Sequence, residues 1–140
     1  MKRRCIVALV VLLGIFLYSG TVFSQEQEKP EEDSLSVQKF AFCKSVEDRE
    51  PVGVSTEFPP DIGRVYLWTS IYSVEQPTEI KHIWYYGVKK MREIPLSIKY
   101  KRTRTWSYKN ILPQWVGDWY VEVIDEKGRV LKKISFKIIE

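Results

Sequence analysis

Three aromatic-rich blocks between His82 and Gly128 restrict the fold more than anything else in this chain. They are His82-Ile83-Trp84-Tyr85, Arg104-Thr105-Trp106-Ser107-Tyr108-Lys109 and Gly117-Asp118-Trp119-Tyr120-Val121-Glu122-Val123, the last running into Asp125-Glu126-Lys127-Gly128. In each, apolar residues recur at every second position, the period of a strand with one buried face. Arg64 to Ser73 adds a run that is apolar on both sides, with Val65, Leu67 and Ile71 on one and Tyr66, Trp68 and Tyr72 on the other. Such a run suits a central strand covered on its outer side, or an exposed aromatic platform.

Extending the same reading gives about seven strands and little or no helix. Val37 to Val46 comes first, followed by the acidic turn Glu47-Asp48-Arg49-Glu50-Pro51. Gly53 to Phe58 is the second, stopped by Pro59-Pro60-Asp61-Ile62-Gly63. Then come Arg64 to Ser73, Glu79 to Val88, Ile94 to Trp106, Trp119 to Ile124 and, after the Asp125 to Gly128 turn, Val130 to Ile139. Strands at this spacing, joined by Pro/Gly turns, predict an all-β chain: a small immunoglobulin-like antiparallel β-sandwich. Trp84 matches the core tryptophan of the third strand in that fold, and Gly117-x-Trp119-x-Val121 matches the corner opening its penultimate strand. Trp84 and Trp119 are accordingly expected in the core.

The N-terminus has a different character. Lys2, Arg3 and Arg4 precede an uncharged apolar stretch from Ile6 to Tyr18, and Val22-Phe23-Ser24 offers a cleavage site. Residues 1–24 therefore read as an export signal, with an uncleaved membrane anchor as the rival. Residues 25–36 read as an acidic, disordered linker, and 37–140 as the β-sandwich, long enough for one packed core. The expected location is extracytoplasmic, periplasmic or secreted, with the membrane touched only through residues 1–24 if they are retained.

Of the 22 basic residues three lie in the export segment, leaving 19 against 18 acids. That near-neutrality argues against nucleic acid as a partner. Cys43 is the single cysteine after the signal, so no disulfide can form within residues 25–140. In Phe40-Ala41-Phe42-Cys43 it reads as a small buried side chain, with a reactive thiol or an intermolecular bridge as alternatives.

Catalysis finds little support. One histidine and one mature cysteine cannot assemble the usual His/Cys metal site, so neither a metal nor a cofactor is expected. There is no Gly-x-Ser-x-Gly elbow and no Gly-rich phosphate loop. Asp118, Glu122 and Asp125 fall on one turn and one strand, where solvated charges belong. Between Glu93 and Asp118, by contrast, no acid interrupts Lys99, Lys101, Arg102, Arg104 and Lys109. A strand so loaded with cations is an edge strand protected from pairing, or a contact surface for an anionic or sugar ligand. In the second reading Arg102, Arg104, Trp106 and Lys109 form the surface, with His82 near it if the strands are neighbours. Otherwise His82 is a buried histidine bridging strands.

Taken together, Arg49-Glu50-Pro51-Val52, Gly63-Arg64-Val65-Tyr66-Leu67, His82-x-Trp84-Tyr85, Arg104-Thr105-Trp106-Ser107-x-Lys109-Asn110 and Gly117-x-Trp119-x-Val121-Glu122-Val123-x-Asp125-x-x-Gly128-x-Val130-Leu131 resemble the bacterial family labelled domain of unknown function 2914. The resemblance runs from about Phe42 to Phe136. It implies a bacterial source and a small β-domain attached to an export signal or membrane segment, and it implies no activity. The expected function is thus a non-catalytic binding or protein-interaction module of the cell envelope, its partner an envelope protein or an anionic polysaccharide. The alternatives are a carbohydrate-binding module stacking sugars on Tyr66, Trp68 and Tyr72, and a structural accessory subunit of an envelope assembly.

Overall fold

Period-two alternation sorts the chain into two layers. The computed structural model describes residues 34–140, and no helix occurs among them. The described strands are β1 (Leu35–Cys43), β2 (Ser45–Glu47), β3 (Glu50–Val52), β4 (Glu57–Phe58), β5 (Arg64–Ser73), β6 (Thr78–Tyr86), β7 (Lys89–Ile98), β8 (Arg102–Asn110), β9 (Gly117–Ile124) and β10 (Val130–Ile138). One sheet has the order β1-β5-β8, the other β4-β10-β9-β6-β7, and β2 pairs with β3 in a small ribbon. All pairings are antiparallel except β4 with β10, which is parallel. The result is an all-β, sandwich-like fold.

Inward positions of both sheets make one core. Val65, Leu67 and Ile71 of β5 face Ile80 and Trp84 of β6, Trp119, Val121 and Val123 of β9, and Ile134, Phe136 and Ile138 of β10. Trp84 meets Phe42 edge-on at 6.1 Å and Phe136 at 5.9 Å. Trp119 stacks on Tyr86 at 4.9 Å, and its indole N–H donates to the Trp115 carbonyl. Both tryptophans are core residues, as their positions in the alternation require. The Asp125 to Gly128 segment is the expected turn. Gly128 takes a left-handed φ of 82°, and the Asp125 carboxylate accepts the backbone N–H groups of Lys127 and Arg129.

Several boundaries differ from the sequence reading. The expected strand from Val37 to Val46 ends at Cys43, and Ser45–Glu47 belongs instead to the separate β2–β3 ribbon, which also takes in part of the expected acidic turn. The stretch from Ile94 to Trp106 is two strands in different sheets, because the chain crosses over at Lys99-Tyr100-Lys101. There the Lys101 carbonyl accepts from Ser73 N–H and the Tyr100 carbonyl from the Thr103 hydroxyl, satisfying the backbone outside either ladder. Gly53 to Phe58 is strand only at its last two residues. Gly53 has a φ of 72°, and the Ser55 hydroxyl bonds Glu57, so the segment curls as a loop. Finally, β1 begins at Leu35, which is buried, so the last residues of the expected linker are already sheet. The expected export segment and most of the expected linker lie outside the described residues.

Candidate binding surface

Tyr66, Trp68, Ser70 and Tyr72 of β5 sit directly opposite Tyr108, Trp106, Arg104 and Arg102 of β8. Directly opposed residues share a face, so the cationic strand and the aromatic run occupy the same outer surface of the three-stranded sheet. The two surfaces that the sequence offers as separate alternatives are thus one. Arg102, Arg104 and Trp106 are brought together as expected.

The centre of this surface is covered by the chain itself. The β2–β3 ribbon folds over it, turning at Asp48 and Arg49, which have φ of 49° and 66°. Two successive positive φ values define the hairpin turn whose twist matches its strands, a turn that glycine or asparagine fills most easily. Arg49 is held in this costly conformation and is the tip that docks. Its carbonyl accepts the Trp68 indole N–H at 2.9 Å, its guanidinium lies 5.8 Å from the Trp106 ring and donates to the Arg104 carbonyl, and the adjacent Glu50 pairs with Arg104 at 2.7 Å. Trp68 keeps only 6% of its surface exposed. The aromatic platform of Tyr66, Trp68 and Tyr72 is therefore not open, and its central ring cannot stack on a sugar. Arg49→Gly is expected to change stability by less than about 1 kcal/mol, relief of the left-handed strain offsetting the lost contacts. Acrylamide quenching of tryptophan fluorescence should rise as Trp106 is uncovered.

Beyond the ribbon the face stays cationic at both ends. At one, Lys101 and Arg102 lie 5.7 and 5.8 Å from the Tyr72 ring. At the other, the Arg64 and Arg92 guanidiniums lie 3.9 and 4.9 Å from the Tyr108 ring. β8 has only β5 as a neighbour in its sheet, so it is an edge strand. Two of its carbonyls are nonetheless occupied: Arg49 donates to Arg104 and Arg92 donates to Tyr108. Cations here protect an edge and build a surface at the same time.

Lys109 and His82 do not lie among Arg102, Arg104 and Trp106, and His82 takes the buried, strand-bridging place that was the other reading of it. Lys109 has the opposite parity to Trp106 along β8, pairs across with inward-facing Val65, and places its ammonium 4.8 Å from the Trp115 ring. Burial, helped by the charge of Arg92, lowers its pKa. His82 is fully buried between the sheets. Its Nδ1 is 2.7 Å from the Ser107 hydroxyl and its Nε2 is 3.5 Å from the Thr69 hydroxyl. Because Thr69 donates its own proton to the Thr105 carbonyl, it can only accept from His82, which assigns the proton to Nε2. Ser107 then donates to Nδ1 and accepts from the Trp84 indole N–H. The pair thus forms a closed core network from Trp84 to the Thr105 carbonyl, and two surface hollows of about 430 and 420 Å³ are lined by neither residue. Cys43 is also buried, opposite Tyr66, and burial raises its thiol pKa.

Sequence reasoning missed Arg49, Arg64 and Arg92 as surface builders. Each stands apart from the basic run, and only the register of β5, the reach of β7 and the docking of the ribbon bring them to β8.

Residues 77–138 match the family model described as Protein of unknown function (DUF2914). The motifs around Arg49 and Arg64 lie before the matched residues. No curated protein matches the chain.

Proposed function

We propose that this chain, whose residues 77–138 match the family of unknown function described above, is a non-catalytic binding or protein-interaction module exported to the bacterial cell envelope. Export rests on the basic start and apolar stretch of residues 1–24. The sandwich is immunoglobulin-like in this reading, supported by the order β1-β5-β8 against β10-β9-β6-β7, the parallel β4–β10 pair, and Trp84 in the core strand where that fold carries its tryptophan.

One observation carries the binding role. Arg49, Arg64, Arg92, Lys101, Arg102, Arg104 and Lys109 gather on and beside β8, each within cation–π reach of a ring or paired with Glu50. A domain nearly neutral overall thus concentrates positive charge on one flank, which steers an anionic partner. A crosslinking pull-down from native envelope, comparing the wild type with Arg104→Ala plus Trp106→Ala, tests it. Partners should disappear from the variant while its far-ultraviolet circular dichroism and urea unfolding are kept. Identical partner sets would remove this surface from any binding role.

A further inference from the structure

Beside the Arg64 end of this surface, three cations from three strands gather at the edge strand β8 without a counter-charge: Arg64 and Arg92 share the Tyr108 ring, and the charge of Arg92 reaches Lys109, which comes from the other side of the strand. Arg64 comes from β5, Arg92 crosses from β7 in the opposite sheet, and Lys109 lies on β8. Among the described residues none of the three is ion-paired: the carboxylates that do pair take Lys81, Lys90, Arg104, Arg129 and Lys137. Bringing like charges together costs energy in the free protein. Here it is offset by rings and carbonyls, which also fix where the cations sit.

Each cation is held by one part and leaves another part free. Arg64 lies 3.9 Å from the Tyr108 centroid, with Nε donating to the Asn110 side chain at 3.0 Å and Nη1 to the Tyr66 hydroxyl at 3.4 Å. Arg92 lies 4.9 Å from the same ring and spends Nη1 on the Tyr108 carbonyl at 2.8 Å. Lys109 lies against Trp115 and gives one N–H to the Asn110 carbonyl at 3.0 Å. A guanidinium has five N–H donors and an ammonium three, so every one of these groups keeps donors unspent. Burial, and after it the charge of Arg92, lowers the pKa of Lys109.

We propose that Arg64, Arg92 and Lys109 form a binding site for a phosphoryl group, carried on a small polyol or on a lipid headgroup. A phosphate monoester carries about −1.5 to −2 charges at neutral pH and three strong acceptor oxygens, enough to satisfy three cations. A single carboxylate has one charge and two oxygens. Arginine forks suit the phosphate oxygens in pairs, and lysine adds a point charge. Cations occupy the Tyr108 and Trp115 faces, so the rings position charge and do not stack on a sugar. The site deepens the binding role proposed above by naming the ligand chemistry at one end of that surface.

The test uses the full chain. Glycerol 1-phosphate is titrated calorimetrically with glycerol as the uncharged control. Flotation is measured with phosphatidylcholine vesicles, with and without phosphatidic acid. Arg64→Gln plus Arg92→Gln should weaken the phosphate-dependent response at least tenfold, and Arg64→Lys plus Arg92→Lys should lose part of it because the forks are gone. If the arginine pair proves necessary for folding, Lys109→Gln should still weaken binding several-fold. A response to both probes, or to vesicles alone, supports the site and in the second case makes the lipid its source. No response to either probe, equal responses from wild type and the glutamine variants, or full affinity in the lysine pair overturns it. Envelope partners that remain sensitive to Arg104→Ala plus Trp106→Ala would leave the broader binding role standing even then.

Discussion

Trp84→Ala should destabilise the domain by about 4 kcal/mol, enough to leave a protein of ordinary stability close to unfolding. Trp84 is fully buried and packs edge-on against Phe42 and Phe136, which themselves lie 4.6 Å apart. Removing the indole opens a cavity between the sheets, where both walls are β-ladders that relax little. It also deprives the Ser107 hydroxyl of a donor. Trp84→Phe keeps most of the packing and should cost only about 1 to 2 kcal/mol, the cost of one lost hydrogen bond and a small void. Urea unfolding of the full chain followed by circular dichroism would give both values. An unfolding free energy for the alanine variant within about 1 kcal/mol of the wild type would mean that the two sheets are not packed through Trp84.

The same residue shows how far the fold could be read in advance. Trp84, Trp119 and the β9–β10 turn were legible because each rests on local chemistry: alternation on a strand, or a glycine with an aspartate that binds the turn backbone. The run from Arg64 to Ser73 was legible to the residue, since breakers bound it and its two apolar faces mark a covered central strand. The crossover at Tyr100 was hidden because Lys99-Tyr100-Lys101 continues the alternation, and only tertiary pairing reveals that the chain changes sheet. The surface was legible in part. Arg102, Arg104 and Trp106 follow from parity on one strand, and the same parity, carried two steps further, would have put Lys109 on the opposite side. Arg49, Arg64 and Arg92 could not be found this way, because their place depends on which strands are neighbours. His82 was legible as a buried histidine bridging strands, but its flanks Lys81 and Ile83 give no local sign that Thr69 and Ser107 are the partners across the core.

That placement makes the stability of the domain depend on pH. His82 is the only histidine of the chain, and burial lowers its pKa from 6.5 to about 3. In the native state it stays neutral through mild acid, whereas in the unfolded chain it takes up a proton as the pH falls through 6.5. The unfolded state then binds more protons, so stability rises with pH across this window and falls on acidification. The expected loss between pH 7 and pH 5 is about 2 kcal/mol, from about 1.4 kcal/mol per pH unit below the unfolded pKa. Most carboxylates are still ionised at pH 5, so the slope in this range belongs to the histidine. His82→Gln can accept from Ser107 and donate to Thr69, and should lower stability at pH 7 by about 1 kcal/mol while flattening the dependence. Urea midpoints measured at pH 7, 6 and 5 for both proteins would decide it. Parallel curves would show that His82 charges as readily in the folded domain as outside it, and would remove the proton from the network that joins Trp84, Ser107, His82 and Thr69.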